Sequence, residues 1–369
     1  MTTFGRRLLG LFLLACPVLL CLSAGEAGAQ TLDLILPTGN DALLRGDGPA
    51  FYQYTDRRTK RGVSRPWQGG QYGFVRNVRE TPYGAVYSRF HEGVDIKPLH
   101  RDRTTEPLDT VRAIADGEVV YVNAIEKQSN YGKYVVVEHW WGGSPFYSLY
   151  AHLADVHVRA EQRVRQGERL GRLGYTGVGI NRRRAHVHFE INLLLNRIFQ
   201  PWYDAYFEED DPNYHGIYSG LNLAGLDVPA LYLALRDDPL LTIRAFLERQ
   251  PAFFAITVPN EGMLDLLWRY PWLSPGHNAW TMLYRDVENR ASWTITFARS
   301  GLPLRVDPTD RVVTDPTVAM LDPSPIEYRY LTNGLVTGAD DDYQLSRNGL
   351  RYIDLLTRTY TLRQRRVEW

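Results

Sequence analysis

The feature that most constrains this sequence is a pair of histidines two residues apart in an apolar run, residues 185–191, AHVHFEI. The run has the composition of a β-strand, and alternate side chains of a strand point to the same face. We therefore expect His186 and His188 to share a face, about 7 Å apart along the strand. At that spacing both imidazoles can serve one centre.

A second motif lies upstream, where three residues separate His91 from Asp95. Histidine nitrogen and carboxylate oxygen are both zinc ligands, and a catalytic zinc needs three protein ligands and an open position for water. His91, Asp95 and one histidine of the pair, His186 or His188, supply three. The histidine left over, with His152 at the end of its own predicted strand, is then free for proton transfer.

The N terminus has the pattern of a secretory signal peptide. A basic start at Arg6 and Arg7 precedes an apolar run over residues 8–22, and small residues occupy both ends of the triplet 27–29. These are the three parts of a cleavable export signal. We predict a signal peptide over residues 1–29 and an extracytoplasmic protein, either periplasmic or secreted.

Two alternatives to simple cleavage remain. A transmembrane anchor is disfavoured because the apolar run is short and contains Pro17. A lipoprotein signal at Cys16 ranks second, since this cysteine lies in the middle of the apolar run rather than at its end. No later apolar run is long enough to span a bilayer, so no stable membrane span is expected after removal of the signal.

Composition excludes several classes of site. Both cysteines, Cys16 and Cys21, lie in the predicted signal, so a disulfide framework and a thiolate zinc site are excluded from the mature chain. Any metal must be held by histidine and carboxylate. Removal of residues 1–29 leaves 40 basic and 41 acidic residues. This balance creates no field that favours nucleic acid as a partner.

The remaining 340 residues exceed what one core usually holds, so we expect more than one domain. A turn-rich, irregular N-terminal arm is predicted over residues 30–70. Short strands without helical periodicity follow over residues 71–207 and predict a mainly β catalytic domain of antiparallel sheets, a partly open barrel or groove. The acidic run 208–211 is interpreted as a linker to a C-terminal α+β domain of unknown role, residues 212–369.

Turn and capping signals predict individual elements within these regions. Hairpins are expected at Asp116-Gly117, at Asn333-Gly334 and across Glu288-Asn289, and helices after Asp227, after Asp238 and over residues 261–270.

At its histidine motifs the chain resembles the lysostaphin-like zinc endopeptidases, the LytM-type peptidoglycan hydrolases with the duplicated hybrid motif β fold. Three further stretches match that family: VRAIADGEVV at residues 111–120, YGKYV at 131–135 and QGERLG at 166–171. The resemblance covers residues 73–192. It implies an antiparallel β-sheet groove with a metal on its floor.

The resemblance assigns roles to five residues. It implies that His91, Asp95 and His188 bind one zinc ion per chain, and that His152 and His186 form the catalytic pair. The sequence contains no His-Glu-x-x-His motif, so a glutamate base on a zinc-binding helix is excluded.

The implied activity is that of a secreted zinc metalloendopeptidase. It would hydrolyse peptide bonds in peptidoglycan stems or cross-bridges, using zinc-activated water and histidine proton transfer. The alternative is a non-catalytic envelope protein that binds wall peptide or activates another cell-wall hydrolase. Residues 127–130 and 182–184 differ from the usual Ser/Gly-rich loops of the family, which leaves substrate preference open.

Five other residues are candidates for supporting roles. Trp140, Trp141 and Tyr147 are predicted to wall the substrate groove, although aromatic residues are more often core. Glu190 either orients a metal-bound imidazole or is a surface residue of the sheet. Some relatives supply an asparagine from an N-terminal segment to the zinc, which makes Asn40 a candidate. The default interpretation of Asn40 is an ordinary turn residue.

Overall fold

The computed structural model describes residues 30–59, 62–207, 210–262, 264–275 and 290–358. Within these residues the protein is mainly β, with open antiparallel sheets rather than closed barrels, which confirms the predicted fold class. The predicted signal peptide lies outside the described residues. In the described part of the chain, no helix is long and apolar enough to cross a membrane.

The elements are numbered in chain order. The strands are β1 Arg57–Thr59, β2 Gly62–Ser64, β3 Gly73–Thr81, β4 Gly84–His91, β5 Val94–Ile96, β6 Thr110–Arg112, β7 Gly117–Asn123, β8 Tyr134–Trp141, β9 Ser144–Ala151, β10 Leu153–Val156, β11 Arg163–Val164, β12 Arg169–Leu173, β13 Val187–Leu194, β14 Leu223–Gly225, β15 Phe254–Pro259, β16 Ser292–Phe297, β17 Pro303–Thr309, β18 Thr317–Met320, β19 Val336–Ala339 and β20 Asp342–Leu345. The α-helices are α1 Gly48–Phe51, α2 Gln200–Tyr206, α3 Val228–Asp237, α4 Ile243–Glu248, α5 Asp265–Arg269 and α6 Arg347–Thr357.

The central sheet has the strand order β11-β7-β8-β9-β13-β14, and β5 also pairs with β13. Every residue of β9 and β13 is buried. Both faces of these two strands are therefore covered, which fits their largely apolar composition. This sheet carries the predicted histidine motif on β13.

Smaller sheets flank the central one. Strands β10, β12 and β6 form a three-stranded sheet, and β3 and β4 form a long hairpin. The hairpin pairs Gly73 with His91, so it delivers His91 to the edge of the central sheet.

The C-terminal part combines a second sheet with helices, in agreement with the predicted α+β class. Its four strands have the order β17-β16-β15-β18, and β19 pairs with β20. Helix α3 begins as predicted, because the Asp227 side chain accepts a hydrogen bond from Ala230 N and Pro229 lies in the first turn.

The C-terminal part packs directly against the central sheet. Tyr270 Oη accepts a hydrogen bond from Leu194 N at 2.9 Å, and Trp272 Nε1 donates one to Ser144 Oγ at 3.0 Å. One continuous group of buried apolar side chains includes residues from both parts. The division into domains at residues 208–211 remains a prediction.

Two predicted hairpins are wrong. Strand β6 ends before Asp116 and β7 begins at Gly117, but the two strands belong to different sheets. Gly117 instead allows close strand packing, because a β-carbon there would lie 2.5 Å from Glu138 O. Asn333-Gly334 precedes β19, and the hairpin of β19 with β20 turns at residues 340–341.

Other predicted elements had mixed outcomes. The helix predicted after Asp238 begins later, at Ile243, with Thr242 as its cap. The helix expected over residues 261–270 is shorter and is α5. The turn at Glu288-Asn289 lies outside the described residues.

Candidate metal centre

The two faces of β13 meet different surroundings. Val187, Phe189 and Ile191 point into the apolar core. His188 and Glu190 alternate with them and therefore lie on the opposite face, where they are also buried. This alternation, predicted from the sequence, places polar groups on one side of a strand that is otherwise core.

Strand pairing brings the other motif to His188. On one side of β13, His188 lies opposite Asp95 of β5, and on the other side it lies opposite Ala151 of β9. His152 directly follows Ala151, and His91 is the last residue of β4. Three separate segments of the chain thus meet at one position of the sheet.

The predicted ligands converge at this position. His91 Nε2 lies 3.0 Å from His188 Nδ1, and Asp95 Oδ1 lies 3.1 Å from each of these nitrogens. All three side chains are buried, and their ligand atoms form a group that can hold a metal ion.

Hydrogen bonds fix which imidazole nitrogen of each histidine faces this point. His91 Nδ1 donates to Gln71 O at 2.7 Å, and His188 Nε2 donates to Glu190 Oε1 at 2.6 Å. His91 Nε2 and His188 Nδ1 are the remaining nitrogens. A ligating histidine ordinarily donates its other N–H in this way, so both residues fit a metal.

Asp95 is held by an arginine that the sequence analysis missed. Arg76 Nη2 donates to Asp95 Oδ2 at 2.6 Å, and Arg76 Nε donates to Gly69 O at 2.8 Å. Only Asp95 Oδ1 therefore faces the histidines. Nothing in the spacing of the motifs marks Arg76, because its position depends on the pairing of β3 with β4.

The charges of the three side chains also fit a cation. Burial lowers the pKa of His91 to about 4, so this imidazole is neutral. Burial opposes ionisation of Asp95, but the nearby His186, His91 and Arg76 hold its pKa well below the usual value. Burial likewise opposes a charge on His188, yet its hydrogen bonds to Asp95 and Glu190 raise its pKa to about 9. Metal binding at His188 must therefore release a proton.

His152 and His186 form a pair beside the three ligands. Their rings lie 4.7 Å apart, edge to face. His152 Nδ1 donates to Thr176 O at 2.9 Å, and His186 Nδ1 donates to Arg184 O at 2.6 Å, so each ring keeps Nε2 for other partners. Burial and the neighbouring His186 hold the pKa of His152 well below its usual value.

The backbone of His152 adopts an uncommon conformation. Its φ is +61°, in the left-handed region, at the junction of β9 and β10. Its N–H donates to Tyr131 O at 2.9 Å, which helps to hold it there. Such conformations cost free energy and are concentrated at functional sites.

Glu190 is not a surface residue of the sheet, so that interpretation of its role is wrong. It is 1% exposed, and besides His188 it accepts hydrogen bonds from Tyr131 Oη at 2.8 Å and Asn192 Nδ2 at 2.9 Å. Tyr131 was also missed as a site residue, although it begins the matching stretch at residues 131–135. The carboxylate of Glu190 is thus held in place by three partners.

The face of the sheet that carries His188 is covered beyond Glu190 by residues 213–222, here named the covering segment. Tyr147 lies on this face, buried against Tyr218 at a ring distance of 5.9 Å. Tyr134 Oη donates to Tyr218 O at 3.3 Å, and Tyr121 Oη lies 2.9 Å from His215 Nδ1. The predicted groove residue Tyr147 is therefore enclosed by the chain itself.

Trp140 and Trp141 do not lie beside the histidines, which corrects their predicted position. They end β8, roughly 17 Å along the strand from Val135. Val135 pairs with Tyr150, two residues before His152, and therefore marks the end of the strand near the histidines. Trp141 is buried and stacks on His139 at 5.0 Å, whereas Trp140 is exposed. Sequence proximity to the Gly-Gly turn did not reveal which end of the strand faced the site.

Asn40 does not approach the ligands either. Its Nδ2 donates to Ala50 O and Lys97 O, each at 3.1 Å, and its Oδ1 accepts from Ala42 N at 3.2 Å. It is a buried residue that holds the N-terminal arm to α1 and to Lys97, the residue after β5, so it has a structural role but is more than an ordinary turn residue.

Comparison with known proteins supports the resemblance seen in the motifs. Residues 89–199 match the family model of Peptidase family M23, which confirms the predicted relationship for this region. The chain is 38% identical over 81 residues to the cell division protein DipM of Caulobacter vibrioides, across 22% of this chain and 12% of DipM. It is 36% identical over 80 residues to the murein hydrolase activator NlpD of Escherichia coli, across 21% of this chain and 18% of NlpD.

Among solved structures, a zinc-containing peptidase from Vibrio cholerae is 27% identical and has a TM-score of 0.23, across 38% of this chain and 36% of that one. The present chain thus spans less than a fifth of DipM and of NlpD.

Proposed function

We propose that this chain, whose residues 89–199 match Peptidase family M23, is a zinc-dependent endopeptidase that hydrolyses peptide bonds in peptidoglycan stems or cross-bridges. The observation that carries the proposal is the convergence of His91 Nε2, Asp95 Oδ1 and His188 Nδ1 within 3.1 Å of one another. The second polar atom of each side chain is already bound to protein. Two histidines and one carboxylate are a donor set used by catalytic zinc, one ion per chain.

The chain's own histidines account for proton transfer in this proposal. When bound, zinc supplies a Lewis acid that polarises the scissile carbonyl and lowers the pKa of water. His186 and His152 are held by backbone carbonyls at Nδ1, which leaves Nε2 of each ring for proton transfer, and His186 Nε2 lies 3.3 Å from Asp95 Oδ1 at the proposed metal position. A neutral imidazole can accept a proton from water and return one to the leaving amine. The lowered pKa of His152 keeps that ring neutral for this role.

The substrate class and the location are part of the same proposal. The E. coli relative is a murein hydrolase activator, and murein lies outside the cytoplasm. Together with the predicted signal peptide over residues 1–29, this supports an extracytoplasmic protein that acts on wall peptide. The near-zero net charge gives no reason to expect nucleic acid as a partner.

The test combines metal analysis with wall digestion. The full chain should bind one zinc ion and release peptides from purified peptidoglycan. His188→Ala should lose both properties, and His186→Ala should keep zinc but lose digestion. His100→Ala is the control, because its side chain is 74% exposed and lies 3.6 Å from Asp109 rather than beside a proposed ligand. If His188→Ala digests wall as well as the parent, the proposal is wrong.

A second candidate function is a non-catalytic protein that binds wall peptide or activates another hydrolase. It is favoured by the enclosure of the site, since all five site residues are no more than 6% exposed and the covering segment closes the adjacent face. A parent chain that binds zinc, releases no peptide and increases digestion by an added wall hydrolase would support this candidate.

A further inference from the structure

A basic loop lies directly beside the proposed catalytic pair. Residues Arg182–Arg184 form a short 3-10 helix, and the Asn181 side chain accepts a hydrogen bond from Arg184 N at its start. The carbonyl of Arg184 accepts the hydrogen bond from His186 Nδ1 at 2.6 Å. The position of this loop is therefore coupled to the orientation of a proposed proton-transfer residue.

The loop and the N-terminal arm line an open cavity of about 400 Å³. Its walls are formed by Asp56, Arg65, Asn181, Arg182, Arg183 and Arg184. Four of the six lining side chains are guanidinium groups, and one is a carboxylate. The cavity is open to solvent.

Two of these arginines have carboxylate partners. Arg65 Nε lies 3.1 Å from Asp56 Oδ1, and Arg182 Nε lies 2.6 Å from Glu106 Oε1. Arg182 also donates to Thr104 O, which ties the loop to the chain before β6. These pairs neutralise Arg65 and Arg182 and fix the cavity walls.

The other two arginines lack such partners. Among the described residues, no carboxylate pairs with Arg183 or Arg184. Arg184 Nη1 has a long contact of 3.4 Å to Gly179 O, and its Nε is buried with no hydrogen-bond partner in the described structure. A buried N–H without an acceptor costs free energy unless a ligand supplies one.

We propose that Arg183 and Arg184 bind a free carboxylate of the peptide substrate, close to the bond that is cleaved. The inference rests on the proposed peptidase function and adds a specificity-determining subsite to it. A guanidinium presents a planar fork of donors that matches a carboxylate in bidentate geometry.

Distance limits where that carboxylate can lie in the substrate. Arg184 is two residues from His186, at most about 7 Å along the chain. An extended peptide advances about 3.3–3.6 Å per residue, so, with the reach of the arginine side chain added, the carboxylate belongs within a few residues of the cleaved bond. Peptides with an amidated carboxyl group at that position should be poorer substrates.

The test uses a matched pair of synthetic wall peptides, one with a free C-terminal carboxylate two residues beyond the cleaved bond and one with a carboxamide there. The parent chain should have a kcat/KM at least roughly tenfold higher for the carboxylate peptide, the effect of one charge-assisted interaction. The double variant Arg183→Gln, Arg184→Gln should lose this preference, mainly through a higher KM for the carboxylate peptide.

Two further variants separate charge from fold. Arg183→Lys should retain part of the preference, because lysine keeps the charge without the planar fork. Arg311→Gln, an exposed arginine of the C-terminal part, should change nothing. Arg182 is left intact in all variants because its pair with Glu106 supports the loop.

A binding measurement distinguishes failure of the subsite from failure of the proposed function. Affinities of fluorescently labelled carboxylate and carboxamide peptides are compared on the full-length His186→Ala chain. Hydrolysis of both peptides at equal rates by the parent overturns the subsite and leaves the peptidase proposal standing. If the parent hydrolyses neither peptide, the peptidase proposal fails, and equal affinities for the two peptides then overturn the subsite as well.

Discussion

At the scale of single residues, the site depends on groups that do not face the metal position. Burial of the Glu190 carboxylate raises the free energy of its charged form, but hydrogen bonds from His188, Asn192 and Tyr131 outweigh this and lower its pKa. An ionised Glu190 accepts the proton of His188 Nε2 and so leaves Nδ1 as the ligand atom. Glu190 therefore selects the tautomer of His188, the proposed ligand two residues before it on β13.

Replacement of this carboxylate should weaken metal binding without removing a ligand. We predict that Glu190→Gln lowers zinc affinity by about 10- to 100-fold, the usual effect of losing a partner of a ligating histidine. Competition with a chromogenic chelator measures the affinity. Glu126→Gln, at an exposed position, is the matched control. Equal affinities for Glu190→Gln and the parent would show that Glu190 has no such role.

His139 gives a prediction about pH that does not involve the metal centre. It is buried, its Nδ1 donates to Asp116 O at 2.8 Å, and its Nε2 lies 2.7 Å from Ser148 Oγ. Burial lowers its pKa to about 4 from an unperturbed value of 6.5. The unfolded chain therefore binds a proton at higher pH than the folded chain. The contribution of His139 to the free energy of unfolding is therefore fully present above pH 6.5, and it is lost as the pH falls to about 4.

We predict that this group contributes at most about 3 kcal/mol to the loss of stability over that interval. His139→Asn keeps a donor for Asp116 O but does not titrate. Its free energy of unfolding, from denaturant titrations at several pH values, should fall less steeply between pH 6.5 and 4 than that of the parent. His100→Asn, at an exposed site, should follow the parent. A parallel dependence for all three chains would contradict the prediction.

At the scale of elements, the covering segment connects the C-terminal part of the chain to the metal centre. A β-carbon on Gly220 would lie 2.7 Å from Tyr131 Oη, which is closer than real contacts allow. Tyr131 donates to Glu190 and lies 5.6 Å from the His188 ring. Gly220 is thus connected to the proposed ligand His188 through Tyr131 and Glu190.

We predict that Gly220→Ala forces Tyr131 or the covering segment to move. The cost should be about 1–3 kcal/mol in the free energy of unfolding, typical of overpacking, together with weaker zinc binding. Gly39→Ala is the control, because the nearest atom to its β-carbon would be 3.9 Å away. Chemical denaturation and chelator competition measure the two effects. If Gly220→Ala and Gly39→Ala behave alike, the covering segment is not coupled to the centre.

How far the sequence predicted these elements depends on the range of the interactions involved. The alternation of His186 and His188 follows from strand geometry alone, and the cap at Asp227 acts over three residues, so both were predictable. The hairpin at Asp116-Gly117 failed because a local turn signal cannot show that its two strands join different sheets. Arg76 was missed for the same reason, since its contact with Asp95 depends on non-local strand pairing.

At the scale of the whole molecule, the predicted second domain is joined to the first by buried polar contacts. Arg269 Nη2 donates to Leu194 O at 2.8 Å and to Leu195 O at 2.9 Å. Tyr232 Oη donates to Ile35 O at 2.6 Å, which also attaches the N-terminal arm. The composition change near residue 208 gave no sign of these contacts, because each joins residues far apart in sequence.

We therefore predict that the full chain unfolds in one cooperative transition, because the two parts share a core and cannot separate without exposing it. Tyr270→Phe removes the hydroxyl that accepts from the buried Leu194 N, at a cost of about 1–3 kcal/mol. It should shift the whole calorimetric transition to lower temperature without splitting it. Tyr330→Phe, a partly exposed position, should leave the midpoint unchanged. Two separate transitions in the parent, with Tyr270→Phe moving only one, would show that the parts fold independently.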